Sequence, residues 1–377
     1  MLIGFNIIAM ANLVLLSIIL LFKKPQTQAN RILSVIVIYP IFAMLLNILC
    51  YKHVAEQYAW VFYLSYLSNF LWGPLFFNYI HLMLQKPLPF SYKQLIHYIP
   101  FATTLVFFIW LNFQPQAYLH DILLRTQQDD YPWQFLILDY MTMIQFFCYL
   151  AICHRIVRKR VRVIKETFSD YKSVSTQWLQ EYIVIYAGLG VLAFFPVIID
   201  ANLENFLIYM PIASLGTYYY LVSKNINSPI VFTPEALNLI TQVEDKKVCP
   251  ESKTDSEVIY EDKISLAFKL ENLLMEEKLY LNSELNIQRL ADKSGSSVHA
   301  LSRLINNHYN KNFFDYINYY RIEEAKKLLA DPYQQKYTID SIANQVGFNS
   351  RSAFYTAFKK NTNSTPSEHL KSLSNQN

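Results

Sequence analysis

Seven long apolar segments, at residues 2–22, 32–50, 58–84, 95–113, 133–153, 179–199 and 206–222, all lie before residue 223. Most are near the ~20 residues that a helix needs to cross a bilayer. In lipid, only helices and closed barrels satisfy their own backbone polar groups. Apolar residues make up 53% of the 377-residue chain and charged residues 16%, and the excess sits in this first part. A soluble all-helical core would need nearly every long helix to be apolar all round, whereas buried soluble helices keep a polar stripe. The expectation is an all-α chain whose residues 1–222 form a seven-helix transmembrane bundle. The first apolar run has no basic n-region and no small-residue cleavage site, and Lys23 and Lys24 follow it. It therefore reads as a retained span and not a signal peptide.

Charge sets the orientation. With the N-terminus outside, the inner connections carry Lys23, Lys24 and Arg31, then Lys86 and Lys93, then Arg155, Arg158, Lys159, Arg160, Arg162, Lys165 and Lys172, then Lys224. The outer connections hold only Lys52 and Arg125, beside the acidic Glu56, Asp121, Asp129, Asp130, Asp200 and Glu204. Basic residues favour the cytoplasmic side, so residue 223 onward is expected in the cytoplasm. Trp60, Trp110, Trp133 and Trp178 fall near span ends, where an amphipathic ring sits well at headgroup level.

Polar groups inside the spans are costly and mark places where a signal could be received. Asn69, Trp72, Asn78 and His81 in the third span and Asp139 in the fifth form the candidate signal site, with interhelical hydrogen bonding as their plain structural alternative. Cys50, Cys148, Cys153 and Cys249 show no CxxC pair and read as packing residues. No HExxH, GxSxG, P-loop or nucleotide fingerprint is present. The sequence therefore nominates no catalytic residue, metal ligand or cofactor, and does not point to an enzyme.

Residues 223–261 change character, with Pro229, Pro234 and Pro250 and a mixed-charge run from Glu244 to Glu257. This is a linker, with one short helix expected after Thr233-Pro234-Glu235. The last segment, 262–377, contains a degenerate repeat: Ile287-x2-Leu290-Ala291-x3-Gly295 recurs as Ile339-x2-Ile342-Ala343-x3-Gly347, offset by 52 residues. Each copy reads as helix, glycine turn, helix, over 286–308 and 338–361. The two glycines stand in the turns, where a left-handed backbone is easily supplied. Val298, Leu301, Leu304 and Ile305 form one buried stripe, leaving His299, Ser302, Arg303 and Asn306 on another face. In the second copy Ala353, Phe354, Ala357 and Phe358 are inward and Arg351, Ser352, Tyr355, Thr356 and Lys359 outward. Such faces suit base edges and phosphates. Between the copies, Phe313–Ala330 reads as one helix of about 27 Å, with Phe314, Ile317, Ala325, Leu328 and Leu329 inward. That strut could hold two recognition helices near one DNA turn apart, about 34 Å.

The ordered runs Leu290-Ala291, Leu301-Ser302-Arg303, Tyr316-Ile317-Asn318, Arg321-Ile322-x2-Ala325-x2-Leu328-Leu329, Ile342-Ala343-x3-Gly347-Phe348, Phe354-x3-Phe358-Lys359-Lys360 and Thr365-Pro366 resemble the AraC/XylS-type DNA-binding domain of bacterial transcription regulators, over about residues 262–372. The resemblance implies base-reading positions at His299, Ser302, Arg303, Arg351, Ser352 and Thr356, and phosphate contacts at Ser297, Ser350 and Lys359. It also implies RNA polymerase as the partner of an activator, and dimeric action on repeated sites. Asn310 and Asn363 stand where the family usually has glycine, though asparagine tolerates the left-handed region, and Leu370 replaces a frequent arginine. Residues 260–377 hold 15 Lys and Arg against 13 Asp and Glu, so phosphate contacts should be few.

The expectation is a membrane-bound one-component regulator of the bacterial inner membrane. Its bundle would sense an unknown ligand or a change in the bilayer, and its cytoplasmic domain would bind double-stranded promoter DNA. A flexible linker favours signalling through a change in oligomer state, such as a homodimer. The alternative is a transporter or membrane enzyme with a regulatory DNA-binding tail, which the apolar spans and Asp139 permit.

Overall fold

The computed structural model describes residues 2–24, 26–52, 59–84, 92–125, 132–169, 177–199, 204–227, 239–240, 258–331 and 337–374. It divides into two compact units, Met1–Arg158 with Thr176–Val231, and Lys159–Ser175 with Phe232–Asn377. Among the described residues the structure is helical, apart from one isolated antiparallel bridge between Phe168 and Asn286.

The first unit comprises α1 (Leu2–Phe22), α2 (Gln28–Ile38), α3 (Ile41–Tyr51), α4 (Ala59–Leu84), α5 (Ile99–Asn112), α6 (Gln116–Arg125), most of α7 (Trp133–Thr167), α8 (Gln177–Ile199) and α9 (Glu204–Asn227). Where described, the apolar segments are mostly helical. The second departs from a continuous span: it breaks at Tyr39-Pro40 into α2 and α3, because proline offers no N–H and crowds the preceding turn. Helix α1 packs on α2, α3 and α9, and α4 on α2, α3 and α5. Among the described residues, four helical stretches are long and apolar enough to cross a membrane: Ile3–Phe22, Gln28–Leu46, Gln94–Asn112 and Trp133–Thr167. Trp178–Phe194 is a shorter apolar helix.

Helix α7 outruns its apolar segment. Nothing between His154 and Thr167 breaks a helix, since that stretch holds no Gly or Pro, so α7 continues through the basic run to 35 residues. Its length of about 52 Å exceeds the ~30 Å of a hydrocarbon core.

In the second unit, α10 (Val258–Glu276) precedes two pairs of short helices, α11 (Ile287–Ser294) with α12 (Val298–His308), and α14 (Ile339–Gln345) with α15 (Arg351–Thr362). Helix α13 (Phe313–Ala330) joins the pairs and α16 (Pro366–Ser374) follows. Two cores result. Leu270, Leu274, Leu290, Leu301 and Ile305 meet Phe313, Tyr316 and Ile317 from the first half of α13. Ile342, Val346, Phe354 and Phe358 meet Ile322, Ala325 and Leu329 from its second half. Phe313, not Phe314, is the buried one of that pair, while Phe314 and Leu328 are only partly covered. Asn312 caps α13 by accepting from the Asp315 N–H at 2.9 Å, and Phe313 is the first residue of the helix and packs into the first core. The helix expected after Thr233 lies outside the described residues apart from Leu239 and Ile240.

Candidate nucleic-acid interface

Each short helix pair is built by the same local rules. Asn286 and Thr338 cap the first helices by accepting from the N–H groups of Arg289 and Ser341, and Ser297 and Ser350 cap the second ones through Ala300 and Ala353. Such caps satisfy N–H groups that a helix start otherwise leaves orphaned. Both turn glycines have positive φ, 66° at Gly295 and 88° at Gly347. Asn310 and Asn363 also adopt the left-handed region, with φ of 50° and 59°.

The polar faces then follow from the buried ones. On α15, Arg351, Ser352, Thr356 and Lys359 are exposed while Ala353, Phe354, Ala357 and Phe358 are buried. Arg351 is held in place: Nη2 donates to the Tyr355 hydroxyl at 3.2 Å, Nη1 pairs with Asp340 at 3.4 Å, and the guanidinium lies 5.1 Å from the Tyr355 ring centre. Thr356 donates its hydroxyl to the Ser352 carbonyl at 2.7 Å. On α12, His299 and Arg303 are half-buried and Ser297 is exposed. Ser302 lies further in than the polar-face reading has it, at 9% exposure, and its hydroxyl accepts from Asn306. Ser297 and Ser350 use an oxygen lone pair for capping and keep an O–H to donate.

The five polar residues nominated in the first unit lie on α4 and α7. Trp72 is buried at 2% exposure and stacks on Phe76 and Tyr186, and its indole N–H has no hydrogen-bond partner among the described residues. Asn78 donates to the Tyr98 hydroxyl at 3.1 Å. His81 stacks on Phe77, which also meets His97. Asn69 and Asp139 are each half-buried. A network that the sequence reading missed joins three other residues: Asn225 donates to Asn30 at 3.0 Å and accepts from the Tyr79 hydroxyl at 3.2 Å. Asn30 and Asn225 lie just outside the apolar segments, where polarity alone marks no residue as unusual. Among the described residues, no group of three or more His, Cys, Asp or Glu could hold a metal ion.

Arg321 is a further buried residue, known in the sequence only by its place in a motif. Its side chain is fully buried on α13 and lies 5.5 Å from the Phe348 ring centre.

Residues 290–372 match a helix-turn-helix domain family. Over 102 residues the chain is 35% identical to an uncharacterized HTH-type transcriptional regulator in the cgkA 5′ region of Pseudoalteromonas carrageenovora, covering 27% of this chain and 58% of that protein. Over 94 residues it is 32% identical to a protein of Proteus vulgaris named "Probable transcription factor PqrA", covering 25% of this chain and 75% of that one. The chain thus spans under two thirds of the first relative's length. No solved structure matches it.

Proposed function

Because the chain carries a C-terminal AraC-type helix-turn-helix domain and belongs with the transcription regulators that share it, we propose that it is a membrane-bound one-component regulator that reads promoter DNA through both helix pairs. The observation that carries this reading is the pair of glycine-turned units, 286–308 and 338–361, seated at opposite ends of one 18-residue helix. Each second helix would enter a major groove. Arg303 and Arg351 would read guanine edges, His299, Ser302, Ser352 and Thr356 would contact neighbouring bases, and Ser297, Ser350 and Lys359 would hold phosphates.

In this reading the first unit spans the bacterial inner membrane seven times with its N-terminus outside, which places the DNA-binding domain in the cytoplasm. Four apolar helical stretches of spanning length and the one-sided distribution of basic residues support it. The bundle receives the signal, a ligand or a change in the bilayer, and biases helix packing or dimerisation, and so the engagement of promoter and RNA polymerase. A test selects binding sites from random DNA with the full chain in lipid nanodiscs, then repeats the binding with Arg303→Ala and Arg351→Ala. Loss of affinity with relaxed choice at one base position is the expected result. Unchanged affinity and specificity in both variants would remove those residues from the reading.

A further inference from the structure

The buried guanidinium of Arg321 receives acceptors from three parts of the chain. Its Nε donates to the Tyr280 carbonyl at 2.6 Å, Nη2 to the Asn282 carbonyl at 2.8 Å, and Nη1 to Asn318 Oδ1 at 3.4 Å. Two further bonds reach a residue far upstream: Nη1 to the Ser169 carbonyl at 3.1 Å and Nη2 to the Ser169 hydroxyl, also at 3.1 Å. These five acceptors match the five N–H groups that an arginine presents. A buried charged donor left without an acceptor is strongly destabilising. Ser169, 152 residues before Arg321, therefore supplies two of the acceptors that this buried charge needs.

Ser169 is itself fully buried, and it arrives just past the end of α7. Its N–H donates to the Leu285 carbonyl at 3.1 Å, and its hydroxyl donates to the same oxygen. Phe168 pairs with Asn286 as an antiparallel bridge. Asn286 is the residue whose side chain caps α11. The two residues after α7 thus grip the first helix pair at its N-cap and, through Arg321, the middle of the helix that joins the two pairs.

We propose that Phe168 and Ser169 are a docking strap by which α7 holds the DNA-binding domain, so that movement of α7 is delivered to the first helix pair at Asn286 and to both pairs at Arg321. The strap gives the domain a second attachment besides the chain at 223–261, and the element behind it, α7, is a continuous helix from Trp133. The coupling half of this inference rests on the regulatory reading above, whereas the docking half stands on the hydrogen bonds alone.

The test uses the full chain in nanodiscs with a protease site placed in residues 244–257. Phe168 and Asn286 form a non-hydrogen-bonded antiparallel pair, whose Cα atoms stand about 4.5 Å apart, within disulfide reach. Phe168→Cys with Asn286→Cys should crosslink on mild oxidation and keep the cleaved halves together until reduced. Phe168→Cys with Ser352→Cys, and each single variant, serve as controls for the native cysteines. Ser169→Ala, which removes only the hydroxyl, and Ser169→Pro, which also removes the N–H, should lower the crosslink yield in that order. Crosslinking no better than the controls would overturn the strap.

The oxidised pair should then differ from its reduced form in affinity for selected DNA by about fivefold or more. Equal affinities would overturn the coupling. If the unmodified chain selects no DNA at all, the regulatory reading falls, while the crosslink still reports docking.

Discussion

In the first helix pair an added Cβ at Gly295 would meet only Lys269 Nζ at 3.4 Å, while in the second an added Cβ at Gly347 would stand 2.6 Å from the Leu281 carbonyl oxygen. The two residues occupy the same place in the repeat and both need a left-handed backbone. The first pair is instead secured at its start, where Phe168 bridges Asn286. A repeated sequence therefore dictates the local turn, whereas the element that lies against that turn is set by tertiary packing. Two units that look alike in sequence are fixed to their surroundings at different ends.

The largest effect should come from Gly347→Ala, which adds backbone strain to a steric clash and should destabilise the domain by about 2–5 kcal/mol in thermal melts. Gly295→Ala carries the strain alone and should lose about 1–2 kcal/mol. Equal melting shifts for the two would refute the distinction between the turns. Arg351→Ala and Arg303→Ala should each weaken binding to selected DNA by about 1–3 kcal/mol, measured by titration.

The caps are alike in both units, so Asn286→Ala and Thr338→Ala should each reduce stability by about 1 kcal/mol. A much larger loss for one cap would show a second role for that side chain.

The smallest effect concerns the helix after the second pair. There the Thr365 N–H donates to Glu368 at 2.7 Å, and the Glu368 N–H donates back to Thr365 Oγ1 at 3.2 Å, a reciprocal capping box. The backbone and then the side-chain bonds from Thr365 lower the Glu368 pKa from its ordinary value. A depressed carboxylate contributes stability that is present above its unfolded pKa and is lost as pH falls through the folded one. Acid titration below about pH 4.3 should therefore loosen α16, and Glu368→Gln should flatten that slope in a pH series of melts.

Much of the second unit was legible from residue patterns. The span of α13, the inward stripe of α15 and the left-handed turns at Gly295, Gly347, Asn310 and Asn363 all follow from periodicity, caps and glycine or asparagine placement. Phe313 and Phe314 were not distinguishable, since adjacent aromatics at a helix start differ only by about 100° of rotation and packing decides which is buried. Arg321 was opaque for a different reason: its partners at Tyr280, Asn282 and Ser169 are distant in sequence, and no local period records them. In the first unit, Trp72, stacked on Tyr186 of another helix, shows the same limit. Polarity within an apolar run marks a residue as unusual, but its neighbours come from other helices.

Helix α13 gives its first half to one core and its second half to the other. Each core therefore lacks a wall without it, and melting of this one helix would open both at once. Heat should accordingly take the domain through one cooperative transition, with the amides of α11 and α15 exchanging at a common rate. Such a domain has no half-assembled form with a single working reader.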